Sequence, residues 1–192
     1  MNNISKKILD YAKLNGCIRD DCYDEYLYML TMILNILITD VTMLAIGIVM
    51  RMVWECIMFW IIYKILRKYC GGFHFSTSLR CYLSSCVMCP AVLCSIRFIP
   101  YNMIIFSVLA AASAIILLIL SPIAALTKPL DPAEISVFGK IARIITIISL
   151  LLYIAFVFLQ LYTAAKIIVL DLMCVAVFAV WGKLQLKFRK QA

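Results

Sequence analysis

Apolar runs, most of them near the roughly 20 residues needed to cross a bilayer, alternate along this chain with short polar segments. Six runs stand out, at 26–50, 52–66, 81–99, 101–120, 141–161 and 164–181. They predict an all-α fold, a polytopic membrane bundle of about six transmembrane helices within a single integral membrane domain, 1–192. The second run is short, carries Glu55 and Lys64 near its ends, and continues through Arg67 and Lys68 towards a polar segment. Pro90 lies inside the third run, where a kink is tolerated if neighbouring groups satisfy the freed carbonyl. Before the first run, in 1–25, Ile4, Ile8, Tyr11 and Leu14 recur near a period of 3.6, predicting a short helix in the headgroup layer. An ordinary charged tail fits the same residues. Lys6, Lys7, Asp10 and Lys13 break up the apolar residues too often for a secretory signal, and the polar stretch 19–25 reads as a solvated connector or helix start. A second polar segment, 121–140, is punctuated by Pro122, Pro129, Pro132 and Gly139 and is expected to be a loop rather than a helix.

Composition supports the membrane assignment, with 66% hydrophobic and 15% charged residues against roughly 45–50% and 25% in soluble domains. Charge placement then predicts orientation. With the N-terminus inside, fifteen of the eighteen Lys and Arg fall on the inner side, leaving Arg51, Arg97 and Lys166 outside. Both termini and the segments 67–81 and 121–140 are therefore expected to face the cytoplasm. A net charge of +8 placed at that rim points to anionic lipid, at roughly 1 kcal/mol per basic residue near the surface, or to an acidic partner. It does not point to nucleic acid.

The segment 67–81, Arg-Lys-Tyr-Cys-Gly-Gly-Phe-His-Phe-Ser-Thr-Ser-Leu-Arg-Cys, holds the only histidine, His74, and the Gly71-Gly72 pair. Of nine cysteines, Cys56, Cys86, Cys89, Cys94 and Cys174 lie in apolar runs, where the thiol behaves as a small inert hydrophobe. Cys81 differs. Ser76, Thr77 and Ser78 are helix N-cap types, so Cys81 is expected about one turn into a helix, where unpaired N–H groups and the positive end of the dipole favour a thiolate. Arg67, Lys68 and Arg80 add positive potential. His74 would be its base, but on one continuous helix the pair would be separated by about 10.5 Å, too far for proton transfer. A Cys81–His74 dyad therefore requires a non-helical loop, which the two glycines permit. The same histidine beside a glycine turn also fits a helix cap or a lipid-phosphate contact. Scattered cysteines and one histidine do not give the ligand spacing of a zinc site, and no nucleotide-binding glycine motif is present. No metal and no cofactor are expected. Asn35, Asp40, Glu55 and Asp171 lie within or near spans, where an acidic group is costly and marks a cavity, a partner or an ion path. Any of Asn35, Asp40 and Glu55 is a candidate to orient His74.

The pattern Arg67-Lys68-Tyr69-x-Gly71-Gly72-Phe73-His74, followed by Cys81, resembles the accessory gene regulator B family of bacterial membrane endopeptidases in peptide quorum sensing. Chain length, span number and, more weakly, Lys128-Pro129-Leu130 support the resemblance. Phe75 stands where the family usually has a small residue, which leaves the catalytic pattern untouched. The resemblance implies a multi-pass protein of the bacterial cell membrane. It implies a cysteine endopeptidase that removes the C-terminal tail of an autoinducer pro-peptide through a thioester on Cys81, with His74 as base. Cyclisation of the remaining peptide to a thiolactone or lactone would follow. Arg67, Lys68, Gly71, Gly72 and Arg80 would support the site, and Lys128 and Lys140 would hold an acidic substrate tail.

Two other classes fit parts of the sequence. A small transporter or channel would use Asp40 and Asp171 as intramembrane sites, and a thiol–disulfide oxidoreductase would use Cys86-x-x-Cys89. A reducing cytoplasmic face disfavours the latter. Thin spans with polar residues at depth would gain from packing on a second copy, which makes a homodimer an expectation.

Overall fold

The computed structural model describes residues 2–15, 22–72, 77–123 and 131–189. Among these, regular structure is helical throughout apart from one isolated bridge: α1 (Asn2–Leu14), α2 (Tyr23–Val49), α3 (Val53–Cys70), α4 (Ser78–Phe98), α5 (Met103–Leu120), α6 (Pro132–Phe158) and α7 (Tyr162–Arg189). Five of them, α2 and α4 to α7, are long and apolar enough to cross a membrane. The sixth expected span is α3, whose 18 residues include Glu55, Lys64, Arg67 and Lys68. Its charges sit near its two ends, so the stretch between Glu55 and Lys64 remains apolar.

Two compact units divide the chain, 1–45 and 46–192. In the first, the expected amphipathic helix forms as α1, and its stripe of Ile4, Ile8, Tyr11 and Leu14 is exposed. The start of α2 is tied back to it. Tyr23 Oη donates to Asp10 Oδ1 at 2.6 Å, and Lys13 lies over the Tyr23 ring. Asp24 and Glu25 occupy the first turn of α2, where negative charge complements the helix dipole.

In the second unit α7 is central. It packs against α3, α5 and α6, with Ile167, Ile168, Leu172, Val175 and Ala179 fully buried. At one end of these helices the polar groups serve as caps. Lys166 Nζ donates to the carbonyls of Ile96 (2.9 Å) and Ile99 (2.6 Å), satisfying the exit of α4. Arg97 reaches the Met50 carbonyl at the turn into α3. The Asn102 side chain caps α5 by accepting from the N–H groups of Ile104 and Ile105. The three cations assigned to the outer rim by charge counting thus lie around the turn into α3, the exit of α4 and the entry of α7.

One expected loop is shorter than the prolines suggested. Helix α6 begins at Pro132, so the residues from there to Lys140 are helical. Proline is favoured at the first helical position because its missing N–H would have no partner there and its fixed φ suits the helix. Pro132 starts a helix instead of prolonging a loop.

Arg51 precedes α3, whereas Lys140 lies two residues beyond Phe138, whose ring meets Tyr69 at the far end of α3. Full-length variants Arg51→Cys and Lys140→Cys are expected to react with a membrane-impermeant maleimide from opposite faces of sealed vesicles, read by mass spectrometry of the two peptides.

Candidate active site

The far ends of α3, α5, α6 and α7 are clasped by two short stretches of backbone. Helix α3 stops at Gly71 (φ 72°), whose N–H donates to the Arg67 carbonyl at 3.2 Å, and Gly72 follows at φ 118°. Both angles are ones that only glycine adopts without strain. Space gives the same answer. A Cβ on Gly71 would run into the Ile123 carbonyl, and one on Gly72 would lie 2.9 Å from the Phe178 carbonyl and collide with the Arg67 guanidinium. Through this slot the chain pairs with the exit of α5 as a parallel bridge. The Ile123 N–H donates to the Cys70 carbonyl at 3.1 Å, and the Gly72 N–H donates to the Ile123 carbonyl at 3.4 Å. Around it, Pro122 would be 3.1 Å from a Cβ on Gly139 in α6, and the Tyr69 ring meets Phe138 edge-on at 6.0 Å. Cys70 and Ile123 are buried. Left unpaired, each such backbone group would cost about 1–3 kcal/mol.

Arg67 completes the clasp. Its Nη1 donates to the Gly71 carbonyl at 2.8 Å, and its guanidinium lies 4.7 Å from the centre of the Phe178 ring. Lys68, beside it in sequence, is exposed and leans over Tyr69. The two cations therefore differ in role. One holds backbone, and the other faces outward.

Helix α4 starts as the N-cap types predict. Thr77 is extended, its Oγ1 accepts from the Arg80 N–H at 3.4 Å, and the Cys81 N–H donates to the Thr77 carbonyl at 3.2 Å. Cys81 is thus in the first turn, and it is the only exposed cysteine among the described residues. Arg67 is within electrostatic reach of its sulfur, as is Tyr63, one turn before Arg67 on α3. A shallow groove lined by Arg80, Leu83, Ser84, Val87 and Met88 runs along the same helix from that turn. Arg80 and Lys140 are both exposed.

His74 and Lys128 lie outside the described residues, so the dyad's geometry and the second loop's lysine carry no structural statement. What the structure does establish is that 67–81 is not one helix, since α3 ends at Cys70 and α4 begins at Ser78. Among the acids considered as orienting groups, Glu55 is in the first turn of α3, about 22 Å along the axis from Cys70, and does not belong to this site. Asn35 and Asp40 sit in the first compact unit. Cys89 is buried with its sulfur 3.7 Å from that of Cys56 on α3, so its sulfur partner comes from another helix and not from the Cys86-x-x-Cys89 pattern. Asp171 is completely buried on α7, and neither carboxylate oxygen has a hydrogen-bond partner among the described residues. On insertion scales an acid at mid-bilayer costs roughly 2.5–3.5 kcal/mol. Ile123 and Phe178, which form the walls of the slot, had no signal in the sequence beyond the glycine pair that must pass something closely.

The family model for Accessory gene regulator B (AgrB) matches residues 3–181. The chain belongs to the AgrB family. Neither a curated protein nor a solved structure matches it. AgrB membership over nearly the whole chain, together with the five apolar helices, describes a multi-pass membrane protein. It accords with an enzyme that processes a pro-peptide in quorum sensing. The matched span takes in both polar segments and every residue of the clasp.

Gly71→Ala places a side chain on the Ile123 backbone at a positive φ. It is expected to cost about 1–3 kcal/mol and to lower the unfolding midpoint in detergent, whereas Lys68→Ala leaves that midpoint within about 1 °C of wild type.

Proposed function

We propose that this AgrB-family chain is a membrane-embedded cysteine endopeptidase with Cys81 as nucleophile and His74 as general base and acid. The observation that carries the reading is the setting of Cys81: exposed, in the first turn of α4, within electrostatic reach of the clamped Arg67. In sequence His74 stands two residues after Gly72 and three before Thr77, both of which are fixed in place. The reaction follows from those groups. His74 takes the Cys81 proton, the thiolate adds to the scissile carbonyl, and collapse expels the C-terminal tail as an amine that receives the proton from His74. The N-terminal portion stays on Cys81 as a thioester. Backbone N–H groups at the start of α4 would stabilise the oxyanion.

The acyl bond energy is kept in the thioester, so attack by a thiol or hydroxyl within the bound peptide closes a thiolactone or lactone without ATP. A site at the membrane surface, backed by apolar helices, limits competing water. The groove of Leu83, Val87 and Met88 suits the apolar face of a short amphipathic pro-peptide lying on the membrane. Exposed Arg80 and Lys140, with Lys68 and Lys128, supply positive charge for an acidic tail. In this reading both termini and the clasp face the cytoplasm, in line with the distribution of Lys and Arg. A homodimer would bury part of the exposed apolar surface of the helices.

Co-expression with a candidate pro-peptide tests the reading by mass on a gel. Cys81→Ala and His74→Ala are each expected to lower release of the C-terminal tail at least about a thousandfold, while Cys86→Ala cleaves at close to the wild-type rate. Cleavage by Cys81→Ala at the wild-type rate would remove the protease reading and turn attention to Asp40 and Asp171 as transport residues.

A further inference from the structure

Cys56 and Cys89 are buried thiols that the chemistry at Cys81 does not use, and they come from different helices with their sulfurs 3.7 Å apart. Each stands where a helix joins the bundle. Cys56 is in the first turn of α3, where its N–H donates to the Met52 carbonyl at 3.0 Å. Gly47, near the exit of α2, lies so close that an added Cβ would be 2.9 Å from the Cys56 Cβ and 3.2 Å from its sulfur. Cys89 is the first buried residue of α4, and the others, Val92, Leu93 and Ile96, all follow it. The part of α4 before Cys89, which carries Cys81 in its first turn, has no buried residue. Pro90 comes next and has no N–H to return to the Cys86 carbonyl, so the helix bends more easily there than elsewhere. Cys89 thus marks the boundary between the packed half of α4 and the half that carries Cys81, about 12 Å away along the axis.

We propose that Cys56 and Cys89 are a modification site, closing to a reversible disulfide that ties α4 to α3 at this boundary and slows the reaction at Cys81. The slowing rests on reading Cys81 as the reacting thiol, whereas the bond itself does not. The oxidant is a peroxide. One sulfur attacks a peroxide oxygen and becomes a sulfenic acid with loss of water, and the second thiol displaces the sulfenic hydroxyl as a further water. Two thiols and one hydrogen peroxide thereby give one disulfide and two waters. Hydrogen peroxide is small and uncharged, so it enters an apolar interior that a charged reagent does not. With the clasp facing the cytoplasm, the start of α3 lies at the other end, away from cytoplasmic reductants. Disulfide sulfurs are about 2.0 Å apart, so closing this bond draws the pair about 1.7 Å nearer than the thiols stand. Beside Pro90 that shift passes to the unpacked half of α4, and misplacing a reacting group by about 1 Å costs about a hundredfold in rate.

The test uses the full-length protein in open membrane fragments, treated with hydrogen peroxide, blocked with N-ethylmaleimide and digested with trypsin without reduction. By mass spectrometry, wild type and Cys86→Ala are expected to give a peptide pair linked through Cys56, and Cys56→Ala and Cys89→Ala to give none. No linked pair in wild type, or a pair that survives Cys89→Ala, would overturn the proposal. Should Cys89→Ala fail to reach the membrane, fragmentation of the wild-type pair identifies the linked sulfur, and any cysteine other than Cys89 counts against the site. The effect on Cys81 is read on oxidised fragments after a charged phosphine has returned that exposed residue to the thiol, with the buried link still present. Tail release by oxidised wild type is expected to be at least about tenfold slower than by oxidised Cys56→Ala, and dithiothreitol is expected to remove the difference. Equal release with the link present would overturn the coupling to Cys81. Because the link is read without a pro-peptide, its failure is separate from failure of the protease reading, which Cys81→Ala decides by cleavage.

Discussion

Backbone polar groups that leave a helix at the edge of a bilayer must find partners, because apolar surroundings offer none. In this chain that constraint is met by pairing two non-helical stretches with each other. The carbonyl of Cys70 and the N–H of Gly72 go to the N–H and carbonyl of Ile123, and the Gly71 carbonyl goes to Arg67. Four helices are fixed by that short exchange. It needs two glycines because the strands approach within a distance no Cβ permits, and it needs an arginine because a guanidinium can both donate to a carbonyl and lie flat on an aromatic ring. The motif residues Arg67, Gly71 and Gly72 are thus first of all structural. Their consequence for chemistry is that the chain entering and leaving the segment of His74 is anchored at Gly72 and at the Thr77 cap.

The distribution of polar groups follows the same economy. At the opposite end Lys166 closes α4 and Asn102 opens α5, so charges and amides there satisfy helix termini. Cys56 and Cys89 share a thiol contact in the interior. Asp171 stands apart as a buried group that, among the described residues, completes no cap and no backbone bond.

Much of this was legible in the sequence because the relevant signals are local. Apolar runs of membrane length gave the spans, the spacing of Ile4, Ile8, Tyr11 and Leu14 gave α1, and Ser76, Thr77 and Ser78 gave a start for α4 that puts Cys81 in its first turn. The extent of the second loop was misjudged because Pro132 carries the same letter whether it breaks a helix or begins one. The clasp was not legible at all. Gly71 and Ile123 are far apart in sequence, and their pairing depends on how α3 and α5 end beside α7. Glu55 was a reasonable candidate by composition, but the length of α3 alone removes it from the site. The family pattern, matched over residues 3–181, carries information that periodicity cannot, since nothing in the spacing of His74 and Cys81 names a pro-peptide.

In the proposed reaction Cys81 becomes acylated by the N-terminal portion of a pro-peptide. The most direct measurement is to quench membranes co-expressing the two chains at acid pH and weigh the peptide that bears Cys81. The expected result is an adduct equal in mass to the pro-peptide without its C-terminal tail, removed by neutral hydroxylamine as a thioester must be. Release of the tail with Cys81 unmodified throughout, or with the adduct on another cysteine, would contradict it.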